Sequence, residues 1–289
     1  MAQTTALKRR IRSVKNTKQI TKAMELVAAS KMRRAQASAV STRDYRVAAH
    51  EILGRIGGVS DIANHPLFVT RDVHSRLVIL ITSDRGLAGA YNGNVLKRLL
   101  AQINEDKKNK IKTHVIAVGR VGAQFVARLE GAALVAAYPM FGRDPKPSEM
   151  RPLVDIIFEK YTDRSIDGVN IIYTGFVSNI SQQVETVKLL PTQLQGEKHW
   201  SELEVAIFEP DVNEIVEAAV TRLIEVQMWQ AILESLASEH SMRMVAMKNA
   251  TDNANDIIDD LTLEFNTARQ SAITQQIAEI VGGAEAVAA

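Results

Sequence analysis

The sequence has no cysteine. Structural disulfides, thiolate metal sites and cysteine nucleophiles are therefore excluded. It has no run of about 18 apolar residues, the length that a membrane-crossing helix requires. Its opening stretch, MAQTTALKRRIRSV, lacks the apolar centre of a secretory signal. The expectation is a chain that neither enters nor crosses a membrane by itself. The 6 histidines are scattered without HExxH or HxxxH spacing, which argues against a metal site. Neither GxGxxG nor GxxxxGKS/T occurs, so the two commonest phosphate-cradling loops are missing. No Ser-His-Asp arrangement can be argued from spacing. The sequence predicts no active site and no cofactor.

The two ends of the chain also lack proline and glycine. Between Pro210 and Gly282 neither residue occurs, so nothing there breaks a helix. A helix of roughly 70 residues would be about 105 Å long, against an average of about 11–12 residues. Its apolar spacing alternates four and three through Ala219, Leu223, Val226, Leu233, Ala237, His240, Met244, Met247, Thr251, Ala254, Ile258, Leu261, Phe265, Ala268 and Ala272. A seam of that period predicts a left-handed coiled coil and demands a partner helix. Met1 to Leu53 supplies one. Leu7, Ile11 and Val14 open its seam, and Met24, Ala28, Met32, Ala35 and Ala39 continue it after an expected shift in phase around Thr17 and Lys18.

That N-terminal helix is basic although the net charge of the chain is only +2. Over its first two-thirds, Lys8, Arg9, Arg10, Arg12, Lys15, Lys18, Lys22, Lys31, Arg33 and Arg34 stand against one acid, Glu25. A short run of this kind is usually a solvated face. Sustained over many turns, it points to an acidic partner.

Between the ends the period changes. Leu77 to Thr82 reads as a buried strand, followed by a turn and a helix from about Tyr91 to Glu105, with Asp106 to Lys112 as a loop. Strands at His114–Val118 and Ala133–Ala137, a helix near Val121 to Leu129 between them, a helix from Pro152 to about Tyr161, and β segments at Val169–Phe176 and Gln183–Leu190 complete the unit. Strands alternating with helices predict an α/β fold with an antiparallel edge. Asp84-Arg85-Gly86-Leu87-Ala88-Gly89 and Gly119-Arg120-Val121-Gly122 read as structural turns. His240 reads as a packed residue, and Met242, Met244 and Met247 as a soft packing surface.

The expected organisation is an N-terminal coiled-coil helix over 1–58, a Rossmann-like α/β domain inserted at 75–198, and a C-terminal coiled-coil helix over 210–286, the two helices antiparallel. If Leu53 and Val212 lie level, Met1 falls opposite about Phe265. The remaining tip, with Ala272, Ile273, Ile277, Ile280, Val281, Ala284 and Val287, is then an unpaired apolar helix that needs a socket.

Gln19 to Ala35 (QITKAMELVAASKMRRA), Thr82 to Leu87 (TSDRGL), Met247 to Ala254 (MKNATDNA), Ala268 to Thr274 (ARQSAIT) and Glu279 to Ala284 (EIVGGA) resemble the gamma subunits of F-type rotary ATP synthases, of the bacterial type. The resemblance runs from end to end. It implies a non-catalytic central-stalk rotor that couples proton- or sodium-driven rotation to ATP synthesis. The implied partners are alpha and beta subunits around the shaft, and an epsilon subunit and a ring of c subunits at the foot. It implies a peripheral place on the cytoplasmic side of the cell membrane. Carried over by motif, Arg269, Gln270 and Thr274 contact beta-subunit loops; Lys22, Met24 and Arg243 face the acidic lever of beta; Glu209 belongs to the foot. Ala88 stands where the family often has cysteine, and the chloroplast cysteine insertion is missing, which removes thiol regulation. Two other readings follow from the residues: a basic coiled-coil nucleic-acid-binding protein, and a dinucleotide enzyme that lacks its fingerprint.

Overall fold

The computed structural model describes residues 2–56, 67–142, 145–178, 181–192 and 212–288. The sequence also reads Gly54–Ser75 as a loop-rich hinge and 199–210 as a bridge into the second long helix; part of the first, all of the second and with it Glu209 lie outside the described residues. In chain order the elements are α1 (Ala2–Ile56), β1 (Ser75–Ile81), α2 (Tyr91–Lys108), β2 (Lys112–Val118), α3 (Arg120–Val126), β3 (Ala132–Tyr138), a 3-10 turn (Pro147–Met150), α4 (Arg151–Thr162), β4 (Gly168–Phe176), β5 (Gln182–Leu190) and α5 (Val212–Ala288). By compactness the chain forms two units, and each draws on both terminal helices: Met1–Ala28 with Arg243–Ala289, and Ala29–Met242.

The unit Ala29–Met242 is built on a five-stranded sheet of order β3-β2-β1-β4-β5. The first four strands are parallel, and β5 runs antiparallel to β4 along one edge. Side chains alternate between the two faces. Leu77, Ile79 and Ile81 of β1 face a core shared with α4 and with the first half of α5, whereas Val78 and Leu80 face α2 and α3. With both faces covered, β1 reads as an unbroken apolar run.

Helix α5 is the second cover of one face, alongside α4. Val216, Val220, Leu223, Ile224, Met228 and Ile232 lie in that core. Leu223 to Val226 and Ala231 to Leu233 are buried in unbroken runs, and Ser235 is fully buried as well. Burial at consecutive positions marks a helix enclosed around most of its circumference, not one with a single apolar stripe.

Two parts of the sequence reading are corrected here. Asp106 is not in a loop: α2 continues to Lys108, and Asp106 is fully buried in its last turn. Its Oδ1 accepts from Arg76 Nε at 3.0 Å and Gln102 Nε2 at 3.1 Å, and its Oδ2 from Thr113 Oγ1 at 3.1 Å. Leu53 and Val212 do not set the base of the helix pair either. Thr42 donates to Gln230 Oε1 across the seam, which puts Leu53 level with Ala219. The turns before Ala219 pack into the sheet core instead, through Val216.

The two glycine-bearing turns after β1 and β2 are structural. Asp84 Oδ1 accepts backbone N–H groups of Arg120 at 3.0 Å and Met140 at 3.1 Å, tying the ends of β1, β2 and β3 together. Gly119, at φ 102°, passes against the Thr82 carbonyl. Gly122 N–H donates to Thr82 Oγ1 at 2.9 Å.

Candidate functional site

The unit formed by Met1–Ala28 and Arg243–Ala289 contains every sequence-predicted contact residue except Glu209. Its two helices pair through Thr21 and Thr251, whose hydroxyls share a buried 2.8 Å hydrogen bond. Each hydroxyl also reaches a carbonyl of its own helix, Lys18 O at 3.0 Å and Met247 O at 2.8 Å. On α5 the seam residues Met247, Thr251, Ala254, Ile258 and Leu261 are all buried. Phe265, Ala268 and Ala272 are half-buried.

On α1 the expected phase shift does not occur. Leu7, Ile11, Val14, Lys18, Thr21, Glu25 and Ala28 keep the four–three spacing, and all are buried or half-buried. Polar residues hold three of these positions, which is why an apolar pattern alone suggests a break. Antiparallel register about Thr21 and Thr251 sets Thr4 level with Ala268, and both line one shallow groove. The unpaired stretch of α5 therefore starts near Ala272 rather than at Phe265.

Single Thr21→Val or Thr251→Val substitutions remove the cross-helix bond and leave the other buried hydroxyl with only its own-helix carbonyl, and are expected to cost about 0.5–1.5 kcal/mol. The Thr21→Val/Thr251→Val pair should recover most of that loss. Thermal denaturation of the four chains, analysed as a double-mutant cycle, measures the coupling.

The predicted residues fall into two groups. Lys22, Met24 and Arg243 lie within a few turns of the Thr21–Thr251 layer. Lys22 is exposed and paired with Glu25 at 3.0 Å, and Met24 and Arg243 are half-buried. Arg269, Gln270 and Thr274 are exposed and begin 18 residues beyond Thr251 on α5, about 27 Å along the helix. Sequence reasoning missed the threonine layer. Its signal was the unbroken heptad spacing through Thr21.

Electrostatics and exposure decide what this surface can do. Lys8, Arg9, Arg10, Arg12, Lys15 and Lys18 make no ion pair with any described residue. The one acid on this face, Glu25, is taken by Lys22. The flanking α5 positions across from Lys15 and Lys22 are Asn255 and Lys248, so α5 offers Lys15 no acid there, and Lys22 has only Glu25 of its own helix. An interrupted apolar stripe runs along α5: Leu263 is 71% exposed, and past the polar Asn266 and Gln270 follow Ile273 at 48%, Ile277 at 57% and Ile280 at 72%. Gln270 stands one heptad from both Leu263 and Ile277. An exposed stripe of this length marks an interaction surface.

A family model described as "ATP synthase" matches residues 3–287. This chain belongs to the ATP synthase gamma family. A gamma chain from Moorella thermoacetica is 40% identical over 287 residues, covering 99% of this chain and 100% of the relative. One from Pelotomaculum thermopropionicum is 40% identical over 281 residues, covering 97% and 98%. Among solved structures, a chain of the Euglena gracilis mitochondrial ATP synthase has a TM-score of 0.68 at 18% identity, with 99% of this chain and 95% of that one covered. A chain from the central stalk and c-ring structure of the Tetrahymena thermophila mitochondrial ATP synthase has a TM-score of 0.64 at 23% identity, covering 80% and 99%. These two show the fold.

Gamma chains are non-catalytic subunits of the synthase, whose catalytic sites are on beta. The nucleic-acid reading finds no support in these comparisons. Among the described residues, no helix is long and apolar enough to cross a membrane.

Proposed function

We propose that this gamma chain turns as an asymmetric shaft inside alternating alpha and beta subunits, driven at its foot by a ring of c subunits with an epsilon subunit beside it. The observation that carries the reading is the combination on one helix pair of unneutralised basic side chains and an exposed apolar stripe. The stripe favours enclosure by other chains, and the basic side chains favour acidic partners. Exposed ion pairs contribute only about 0–1 kcal/mol each, which biases an angle without locking it. Lys22, Met24 and Arg243 are assigned to the acidic lever of beta, Arg269, Gln270 and Thr274 to beta loops, and Glu209 to the foot. The assembly then sits peripherally on the cytoplasmic side of the membrane, with protons or sodium ions as the coupling ion.

Reconstitution with alpha and beta subunits tests this. The chain should be required for cooperative ATP hydrolysis, and an unchanged rate without it would remove the reading. Within such complexes Arg269→Ala should lower turnover or weaken assembly, because a charge-assisted hydrogen bond in a desolvated socket contributes about 1.5–3 kcal/mol. Complexes that still turn should keep near-normal torque, since the tip has little lever arm. Rotation against viscous load measures it.

A further inference from the structure

In the unit Ala29–Met242, α5 is held by directional bonds from three sides. Trp229 Nε1 donates to Pro145 O at 2.8 Å, from the segment that leads into α4. Gln230 Oε1 accepts from Thr42 Oγ1, and Gln230 Nε2 donates to Ala39 O at 3.2 Å, both on α1. Ser235 Oγ shares a 2.6 Å hydrogen bond with Tyr91 OH, at the start of α2. At about 100° per residue, these three positions lie roughly 100°, 140° and 120° apart around the helix axis. Tyr91 and Ser235 are both fully buried.

Apolar packing alone would not supply this. The sheet core against α5 is extensive, but hydrophobic contact is non-directional, so a twisted helix can roll over such a surface while keeping much of its burial. A hydrogen bond weakens steeply with misalignment. Three of them spread around the axis oppose rotation in either sense, and burial shields those of Gln230 and Ser235 from competing water, with that of Trp229 part-buried.

We propose that Trp229, Gln230 and Ser235, held by Pro145, Thr42 and Tyr91, form a collar that fixes the rotational setting of α5 and so carries torque between that helix and the α/β domain. They are positioning residues. The inference rests on the rotor reading.

The test uses the full chain reconstituted with alpha and beta subunits and turned against viscous load. Tyr91→Phe removes one hydroxyl, and Tyr91→Phe/Trp229→Phe removes two of the three bonds while keeping an aromatic ring at each position. Ile157→Val, in the sheet core on α4, serves as a control that lowers stability without touching the collar. The double variant should rotate normally at low load and lose about twofold in the load that it sustains, with Tyr91→Phe intermediate, because directional bonds are what it lacks. The Ile157→Val chain should match wild type. Equal sustained load in the double variant and the wild type overturns the proposal and leaves the rotor reading intact. A loss in Ile157→Val equal to that in the double variant also overturns it, by reducing the effect to stability. No rotation with the wild-type chain removes the rotor reading and the proposal together.

Discussion

Gly119→Val should be the most damaging single substitution in the α/β domain. A Cβ at this position would lie 2.1 Å from the Thr82 carbonyl oxygen and 2.6 Å from Thr82 Oγ1. The first of these is backbone at the end of β1, so no side-chain rotation relieves it. The residue also sits at φ 102°, where a side chain costs of order 1–3 kcal/mol by itself. Relief would require the end of β1 to part from β2, breaking the 2.8 Å bond from Thr82 N–H to Val118 O. The expected loss is about 4 kcal/mol or more, a large share of a typical stability of about 5–15 kcal/mol. Gly93→Ala is the contrasting case. It lies in α2 with nothing within 4 Å of the new methyl group, and should gain about 0.5–1 kcal/mol. Denaturant unfolding followed by Trp229 fluorescence, in a Trp200→Phe background, reads both. Equal midpoints for Gly119→Val and the parent chain would refute the expectation.

Asp106→Ala should rank second, with a loss of about 3–5 kcal/mol. The carboxylate is fully buried and is the acceptor for Arg76, Gln102 and Thr113 together. Removing it strands a guanidinium whose side chain is only 21% exposed, along with two polar groups. The partial exposure of Arg76 puts the effect toward the lower end of that range. Asp106→Asn keeps the volume and an acceptor and should lose less. Arg76→Leu/Asp106→Leu should recover much of the deficit, because replacing a buried pair by apolar residues is often neutral. The same unfolding measurement ranks the three. A double variant less stable than Asp106→Ala would show that the pair itself contributes net stability.

The sequence was legible wherever a local rule decides the outcome. The long unbroken ends are helical because nothing in them stops a helix, and the buried runs from Leu77 and Val169 are strands because apolar runs of that length between turns have few alternatives. The antiparallel edge was also expected, and β5 provides it. The gamma-family motifs identify the chain because they recur from end to end. Asp106 was misplaced for a reason of the same kind. Its neighbours in sequence are charged, and it is buried by partners that the fold brings to it, Thr113 on β2 and Arg76, 30 residues away on β1.

Register was the main thing misread: Leu53 is level with Ala219, one heptad from the expected Val212. A heptad seam is nearly unchanged when one helix slides past the other by seven residues, so the four–three pattern determines which faces meet but not which residues. The choice falls to tertiary structure. Thr21 meets Thr251, Thr42 meets Gln230, and both helices advance by 21 residues, three heptads, between those pairs. A slide would leave these buried polar groups against apolar partners, at the cost of unsatisfied hydrogen bonds. The rotational setting of α5 was equally out of reach, because Pro145, Thr42 and Tyr91 come from three distant parts of the chain. Local period made the helices and strands; long-range polar contacts decided how they are aligned.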